Sequence, residues 1–296
     1  MTLQIEAVQI SVPTNDSILP MTFQTRSVHS TWLHQHWGLG MPKPNHRMFP
    51  SDTQDGSSYG GVNMLSRMVS LRIGLEADNR AELESLRDNV FRLFSPSHEL
   101  LLRISRQDGT VRSLYGYYQE GLEYDSGTRY GSMEPFVVVI ECPDPISVGD
   151  MRESDISGSV STGSTWTIPM TIPFVIGPGE WNARHPTHYT GTYKSYPCID
   201  IHGPTASFTL RNMTTGGSLI LAKAVGVGTV ISVDLQTLSV KDATGADQHG
   251  VLNYTLSRLS DMYLQHGENI ITVEGGGFNV NSRAVVSWRE RWLEIV

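Results

Sequence analysis

The chain has 296 residues, which is long for one domain and suggests two at about 150 residues each. Hydrophobic residues make up 39%, enough to build real cores, so disorder of the whole chain is excluded. The 22 basic and 30 acidic residues give a net charge of −8, which argues against an electrostatic grip on nucleic acid or anionic lipid. Few charges, 28 glycines and 15 prolines favour β-structure with many short connections.

The two cysteines, Cys142 and Cys198, cannot form a disulfide framework, so we expect buried thiols in a reducing cytoplasm. The first residues have no basic segment followed by an apolar one, so we expect no secretion signal. No apolar run approaches the roughly 18 residues that a membrane span requires. These features predict a soluble protein.

The first strand is predicted by the alternation from Leu3 to Ala7. The alternation then disappears from Thr14 to Gly61, and glycines and prolines after Gly38 predict a long loop. Such loops are uncommon in compact domains and are usually functional or held by a partner. This one carries large apolar side chains that a free loop would bury. We therefore predict a subunit or partner interface formed by Trp32, Trp37, Met41, Met48, Phe49, Gln54 and Asp55.

A strand and a helix are predicted next. Val69 to Leu75 alternate apolar and polar residues, as a half-buried strand does. Asn79 can cap a helix, with Glu82 three residues later completing a capping box. Apolar residues from Leu83 to Leu93 recur at three- and four-residue spacing, and Ser95-Pro96 ends the helix.

Further strands complete the first domain. Asp108-Gly109 lies between two β-prone runs and predicts a hairpin. The continuous apolar run from Phe136 to Ile140 predicts a strand that is buried on both faces. A stretch rich in serine and glycine follows from Gly149. We therefore predict an N-terminal domain over residues 1–150, a linker over 151–164 and a C-terminal domain over 165–296.

Short strands without helical patterns fill the second half and predict a β-sandwich or jelly roll. The run Gly275-Gly276-Gly277 is interpreted as a hairpin turn. The predicted strands are Trp166 to Ile176, Cys198 to Ile201, Ser207 to Leu210, Ser218 to Leu221, Val230 to Val233, Ile270 to Val273 and Ala284 to Trp288.

No motif predicts catalysis, a cofactor or a metal. The chain has neither a G-x-S-x-G elbow nor a phosphate-binding G-x-x-x-x-G-K-[ST] loop. His34 and His36 lack the further ligands of a zinc site, and so do His185 and His188. The acidic cluster Glu120, Glu123 and Asp125 is explained by a solvated turn. We therefore predict that the protein is not an enzyme.

Aromatic residues cluster in the second half and leave two interpretations open. Aromatic rings stack on sugars, but core packing and subunit contacts use the same side chains more often. A carbohydrate-binding adhesin is therefore the alternative function, with a candidate stretch of Trp166, Trp181, Tyr189, Tyr193 and Tyr196.

Several short motifs occur in a recognisable order. In the first half they are Gly38-Leu39-Gly40, Gln54-Asp55-Gly56, the strand from Met68 to Leu75 with its helix, Gly121-Leu122-Glu123-Tyr124, and Glu141-Cys142-Pro143-Asp144-Pro145. In the second half they are the segments from Tyr196 to Pro204, Leu210 to Gly216, Gly267 to Val273 and Val286 to Leu293. By their order and spacing, over essentially the full length, the chain resembles the distal tail protein family of long, non-contractile-tailed bacteriophages.

The resemblance implies a mainly β fold and a structural role in the virion. It implies an N-terminal, ring-forming, β-sandwich-like domain with one α-helix, and a C-terminal galectin-like β-sandwich. It further implies a hexameric ring that is the hub of the tail tip and joins the tail tube to tip and receptor-binding proteins. DNA would pass through the central channel, and the acidic balance suits passage without specific binding.

Overall fold

The computed structural model describes residues 5–15, 17–25, 31–51, 54–123, 133–157, 179–279 and 281–295. The chain divides into two compact units. The first unit comprises Met1–Asp150 together with Trp292–Val296, and the second comprises Met151–Arg291. The mainly β fold class predicted from the sequence is confirmed.

The first unit contains a sheet that closes on itself. Its elements are β1 (Ile5–Ser11), β2 (Met21–Gln24), β3 (Thr31–Trp37), β4 (Pro44–Ser51), β5 (Gln54–Met64), β6 (Arg67–Glu76), α1 (Arg80–Leu93), β7 (Glu99–Arg106), β8 (Val111–Gly121), β9 (Met133–Cys142) and the start of β10 (Ser147–Ser157). Seven strands follow the order β8-β7-β1-β2-β3-β6-β9, and β9 pairs again with β8. Neighbours are antiparallel except β2 and β3, which are parallel.

Apolar and polar residues alternate along the strands of this closed sheet, and the apolar side chains fill its interior. The predicted strand from Val69 to Leu75 is confirmed as part of β6, and its alternate side chains are fully buried. The predicted hairpin is confirmed as β7 and β8, with Leu102 opposite Leu114. Gly109 occupies the turn with φ +80°, a left-handed conformation that glycine adopts without strain.

The single predicted helix is also confirmed. The Oδ1 of Asn79 accepts a hydrogen bond from the backbone N–H of Glu82 at 2.9 Å, so Asn79 is the N-cap of α1. Leu83, Val90 and Leu93 form its buried stripe and join the core of the first unit.

The predicted loop from Gly38 to Gly61 is wrong for most of its length. Residues 44–51 and 54–64 are the strands β4 and β5, which pair with each other as a separate two-stranded sheet. Alternation of apolar and polar residues did not predict these strands, because glycine and proline interrupt the pattern and two register shifts break its period.

The prediction that the run Phe136 to Ile140 is buried on both faces is also wrong. Phe136, Val138 and Ile140 are buried in the closed sheet, whereas Val137 is 45% exposed. Successive side chains of a strand point to opposite faces, so an apolar run in β9 supplies both the core and the outer surface.

The second unit is a two-sheet β-sandwich. Its further strands are β11 (Gly179–Tyr189), β12 (Cys198–His202), β13 (Ser207–Asn212), β14 (Gly217–Ile220), β15 (Val230–Asp234), β16 (Ser239–Asp242), β17 (Gly267–Phe278) and β18 (Arg283–Trp292). One sheet has the order β16-β15-β12-β18 and the other β11-β17-β13-β14. Buried residues of both sheets form one core, among them Ile201, Val233, Leu210 and Val273.

The strand predictions of the second half are confirmed wherever the structure describes the residues. Gly275-Gly276-Gly277 is not a hairpin turn but lies inside β17. A Cβ at Gly275 would lie 2.0 Å from the carbonyl oxygen of Ser207, so the small residue permits close strand approach. The predicted strand from Trp166 to Ile176 lies outside the described residues. So do residues 158–164, the second half of the predicted linker, whereas residues 151–157 belong to β10.

Candidate assembly surface

The strands β4 and β5 form a ribbon with an apolar face. Directly opposite residues of an antiparallel pair point to the same side, and the register places His46 opposite Val62 and Met48 opposite Tyr59. The rings of His46 and Tyr59 lie 6.0 Å apart between centroids. We define the ribbon face as Pro44, His46, Met48, Pro50, Tyr59, Val62 and Met64.

The large apolar side chains of the ribbon face lie in solvent. Met48 is 53% exposed, Tyr59 is 59% exposed and Val62 is 43% exposed. The opposite face is more polar, with the Arg47 guanidinium facing the Asn63 amide. An isolated two-stranded hairpin is marginally stable in water at best. The ribbon therefore carries a surface that a packing partner would stabilise.

A second apolar surface lies on the outside of the closed sheet. The register aligns Trp37 with Ser70 and Val139, and Met68 with Glu141 and Tyr117. We define the wall patch as Trp37, Met68, Tyr117, Val137 and Val139. Four of these side chains are between 42% and 51% exposed, and Val139 is half-buried. One unit thus presents two different exposed apolar surfaces.

The base of the ribbon is fixed by the motif Gly38-Leu39-Gly40 and by Arg67. Gly38 has φ +82°, and a Cβ there would lie 1.9 Å from the carbonyl oxygen of Met68. Leu39 is buried in the core of the first unit. The Arg67 guanidinium is also buried, which lowers the pKa of Arg67, and it donates to the carbonyl oxygens of Gly38 and Gly40.

The predicted interface residues are spread over the ribbon, its base and the closed sheet. Met48 lies on the ribbon face and Trp37 on the wall patch, while Met41 is 70% exposed near the base. Gln54 and Asp55 begin β5, and Asp55 is exposed. Phe49 is on the polar face of the ribbon, where its ring lies against Gly60.

Trp32 lies apart from these residues. It is half-buried, with its ring packed against Gly74 of β6 and its Nε1 buried without a hydrogen-bond partner. The prediction that these seven residues form an interface stays a prediction. Sequence reasoning missed Tyr59, Val62, Met68, Tyr117 and Val137, and alternation within β9 was the signal that could have identified Val137 as outward-facing.

The candidate metal ligands have other neighbours. The Nε2 of His185 lies 2.7 Å from the Oγ of Ser154, and burial lowers the pKa of His36. Among the described residues, no group of three or more histidine, cysteine or acidic side chains could hold a metal ion. Asp125 of the predicted acidic turn lies outside the described residues.

Both thiols are unpaired. Cys142 is buried and Cys198 is half-buried, and burial raises the pKa of Cys142 to about 12 and that of Cys198 to about 11. Both thiols therefore stay protonated, and neither is an activated nucleophile.

In the described part of the aromatic stretch, the ring of Tyr189 is buried and that of Tyr196 lies beside a lysine. Tyr189 is fully buried, and its hydroxyl donates to the carbonyl oxygen of Tyr193 at 2.6 Å. The Lys194 ammonium lies 5.2 Å from the ring centroid of Tyr196 and 5.5 Å from that of Tyr263. The side chain of Trp181 and all of Trp166 lie outside the described part of the structure.

Comparison with known proteins supports the resemblance seen in the sequence. Residues 190–292 match the family model of the siphovirus-type tail component, C-terminal domain. The fold is similar to the crystal structure of the Dit protein of phage SPP1, with a TM-score of 0.64, 12% identity, and coverage of 96% of this chain and 98% of that chain. The resemblance to distal tail proteins is therefore confirmed.

Two further structures show a weaker likeness. One is the phage p2 baseplate in its activated conformation with Ca, with a TM-score of 0.49, 10% identity and coverage of 98% of both chains. The other is the same baseplate with Sr, with a TM-score of 0.48, 10% identity, and coverage of 95% of this chain and 97% of that chain. No curated protein sequence matches the chain. In the described residues, no helix is long and apolar enough to cross a membrane.

Proposed function

We propose that this chain, whose residues 190–292 carry the tail-component domain, is a structural subunit of a hexameric ring at the distal end of a phage tail. The ring joins the tail tube to the tail tip and is a hub for tip and receptor-binding proteins. It acts in the virion after synthesis in the bacterial cytoplasm. The SPP1 protein of similar fold is described as a paradigm of the hub adsorption apparatus in phages that infect Gram-positive bacteria.

The single observation that carries this proposal is the pair of exposed apolar surfaces on the first unit. A subunit that closes a ring needs two different surfaces that meet head to tail. The ribbon face and the wall patch are such a pair, since each exposes large apolar side chains. In the proposed ring, the ribbon face of one subunit packs on the wall patch of the next.

The charge balance supports a role for the ring as a conduit. A net charge of −8 offers DNA little to neutralise its phosphates, so DNA passes through the channel without being held. A density map of the ring tests this, and a channel lined mainly by lysine and arginine would contradict it.

The first experiment measures assembly of the full chain by light scattering and negative-stain imaging. We expect rings of uniform size at high concentration, alone or with the tail tube and tip proteins. The double variant Met48→Ser, Tyr59→Ser removes the apolar ribbon side chains and should weaken assembly at least about tenfold. The matched control is Met213→Ser, Tyr254→Ser, which changes residues exposed at 60% and 51% in the second unit and should leave assembly unchanged.

A mixing experiment tests the head-to-tail arrangement. The variant Val137→Asp places a charge on the wall patch, and it should remain monomeric like the ribbon double variant. In a mixture, the intact ribbon of one variant meets the intact wall patch of the other, so heterodimers form and rings do not. A mixture that stays monomeric would show that these two surfaces do not meet.

A further inference from the structure

One buried arginine joins both ends of the ribbon to a distant segment of the chain. Arg67 is the first residue of β6 and lies three residues after Met64, where β5 ends. Its Nη1 donates to the carbonyl oxygens of Gly38 at 3.3 Å and Gly40 at 2.8 Å, in the turn that precedes β4. The outgoing and the returning ends of the ribbon are therefore tied together by one side chain.

The same guanidinium holds the segment of residues 292–295, which belongs to the first unit. Nη2 of Arg67 donates to the carbonyl oxygen of Leu293 at 2.6 Å. The backbone N–H of Ile295 donates to the carbonyl oxygen of Leu39 at 3.1 Å, and the Ile295 side chain is fully buried in the core of that unit. The segment thus contacts both Arg67 and the turn that Arg67 holds.

A second arginine fixes the other end of the segment. Nη1 of Arg112 donates to the carbonyl oxygen of Glu294 at 2.5 Å, and its guanidinium lies 4.5 Å from the ring centroid of Trp292. The hydroxyl of Ser147 lies 3.1 Å from the carbonyl oxygen of Trp292. Arg67 is 3% exposed and Arg112 is 7% exposed, so water does not easily replace these bonds.

The turn at the base of the ribbon needs such a constraint. Gly38 has φ +82°, and Gly40 has no atom within 4 Å of the place where a Cβ would lie. Gly38 and Leu39 are already held by packing, so the conformational freedom left in this turn lies at Gly40, because glycine gives up the most freedom on folding. The bond from Arg67 to the carbonyl oxygen of Gly40 removes that freedom.

We propose that residues 292–295 are a clamp that acts through Arg67 to fix the direction of the ribbon, and that assembly requires the clamp to be docked. Arg67 is then a positioning residue, since it lies at the base of the ribbon and not on the ribbon face. The assembly part rests on the proposed function, whereas the clamp itself is a property of the single chain.

The test uses hydrogen exchange on the monomeric full chain and imaging of assembled rings. Arg67→Met removes three hydrogen bonds and should speed the exchange of two backbone amides at least about tenfold. These are the amide of Ile295, which donates to Leu39, and that of Leu65, which donates to Lys43, while α1 should keep its protection. The yield of rings should fall by a similar factor. Arg67→Lys keeps the charge without the forked geometry, so its exchange rates and ring yield should lie between those of the wild type and Arg67→Met. Arg103→Met, an exposed arginine of β7, is the matched control and should change neither measurement.

A second variant covers the case in which Arg67→Met fails to fold. Ile295→Ala keeps the guanidinium and loosens the clamp, so exchange of the amides of residues 295 and 65 should rise in this variant as well. Unchanged exchange of both amides in a folded variant would overturn the clamp. Normal rings from a variant with fast exchange would overturn its role in assembly. If the variants exchange fast but the wild-type chain itself never forms rings, the clamp is supported and the proposed function is refuted.

Discussion

Two antiparallel strand pairs of this protein have similar local geometry and opposite surroundings. The ribbon of β4 and β5 is a sheet of its own, with Met48 and Tyr59 more than half exposed. The ladder of β11 and β17 runs from Gly179 opposite Phe278 to Tyr189 opposite Gly267, and Tyr189, Ile271, Val273 and Phe278 are buried. The difference lies in what covers each pair.

The ladder is supported on two sides, and the ribbon is not. β17 pairs with β13 as well as with β11, and Ile271 and Val273 pack in the core that both sheets of the sandwich share. Strand pairing alone contributes little stability, because each hydrogen bond replaces one to water. Apolar burial supplies the rest. The apolar side chains of the ribbon remain available to a second chain.

The largest expected effect is in the ladder. Val273→Ala removes two carbons from a fully buried site, and we expect a loss of about 3 kcal/mol in the free energy of unfolding. Urea titration followed by circular dichroism measures it. A loss below about 1 kcal/mol would mean that the ladder is no better supported than the ribbon.

A smaller effect is expected at the base of the ribbon. Gly38→Ala forces a left-handed residue and a Cβ against the carbonyl oxygen of Met68, so we expect a loss of about 2 kcal/mol in the stability of the first unit. The control is Gly56→Ala, at φ +91° near the start of β5, where no atom lies within 4 Å of the added Cβ. If both variants lose the same stability, strain in φ explains the whole effect and close packing at Gly38 explains none.

The sequence predicts the supported parts of the fold well. The strands β6, β12 and β17 alternate or run apolar because a core lies against them, and α1 has both its cap and its stripe. Periodicity is imposed by burial on one face, so it is readable wherever a core is present.

The ribbon could not be predicted in the same way. No core of the described residues lies against the ribbon face to impose a period, and Gly60, Gly61 and two register shifts break the period of β5. Composition still marked the segment, because Met48 and Phe49 are large apolar residues among turn formers. The wall patch was missed since residues such as Val137 belong to a run that was interpreted as wholly buried.

The carboxyl of Asp242 makes the stability of the second unit depend on pH. Hydrogen bonds from Thr244, and then from Gln248, lower the pKa of Asp242 to about 2 from its usual 3.8. A lowered pKa in the folded state stabilises that state above pH 3.8, and the contribution disappears as the pH falls toward 2. We expect Asp242→Asn to lower the urea midpoint of the second unit at pH 5, by a difference that shrinks as the pH falls toward 2.

A companion variant separates this effect from general acid sensitivity. Thr244→Val removes the hydroxyl that donates to Asp242 at 2.6 Å and should raise the pKa of Asp242 toward its usual value. Its pH dependence should then lie between those of the wild type and Asp242→Asn. A wild-type advantage over Asp242→Asn that is as large at pH 2 as at pH 5 would show that ionisation of this carboxyl is not the cause.

The smallest effect on the monomer is expected on the ribbon face. Val62→Ala makes the same chemical change as Val273→Ala, but at a residue that is 43% exposed, so the stability of the monomer should change by less than about 0.5 kcal/mol. The two variants differ only in what covers the side chain. If the ribbon face is covered by a second chain, Val62→Ala should weaken assembly while leaving the urea midpoint of the monomer unchanged. A loss of monomer stability equal to that of Val273→Ala would mean that the ribbon is already covered within a single chain.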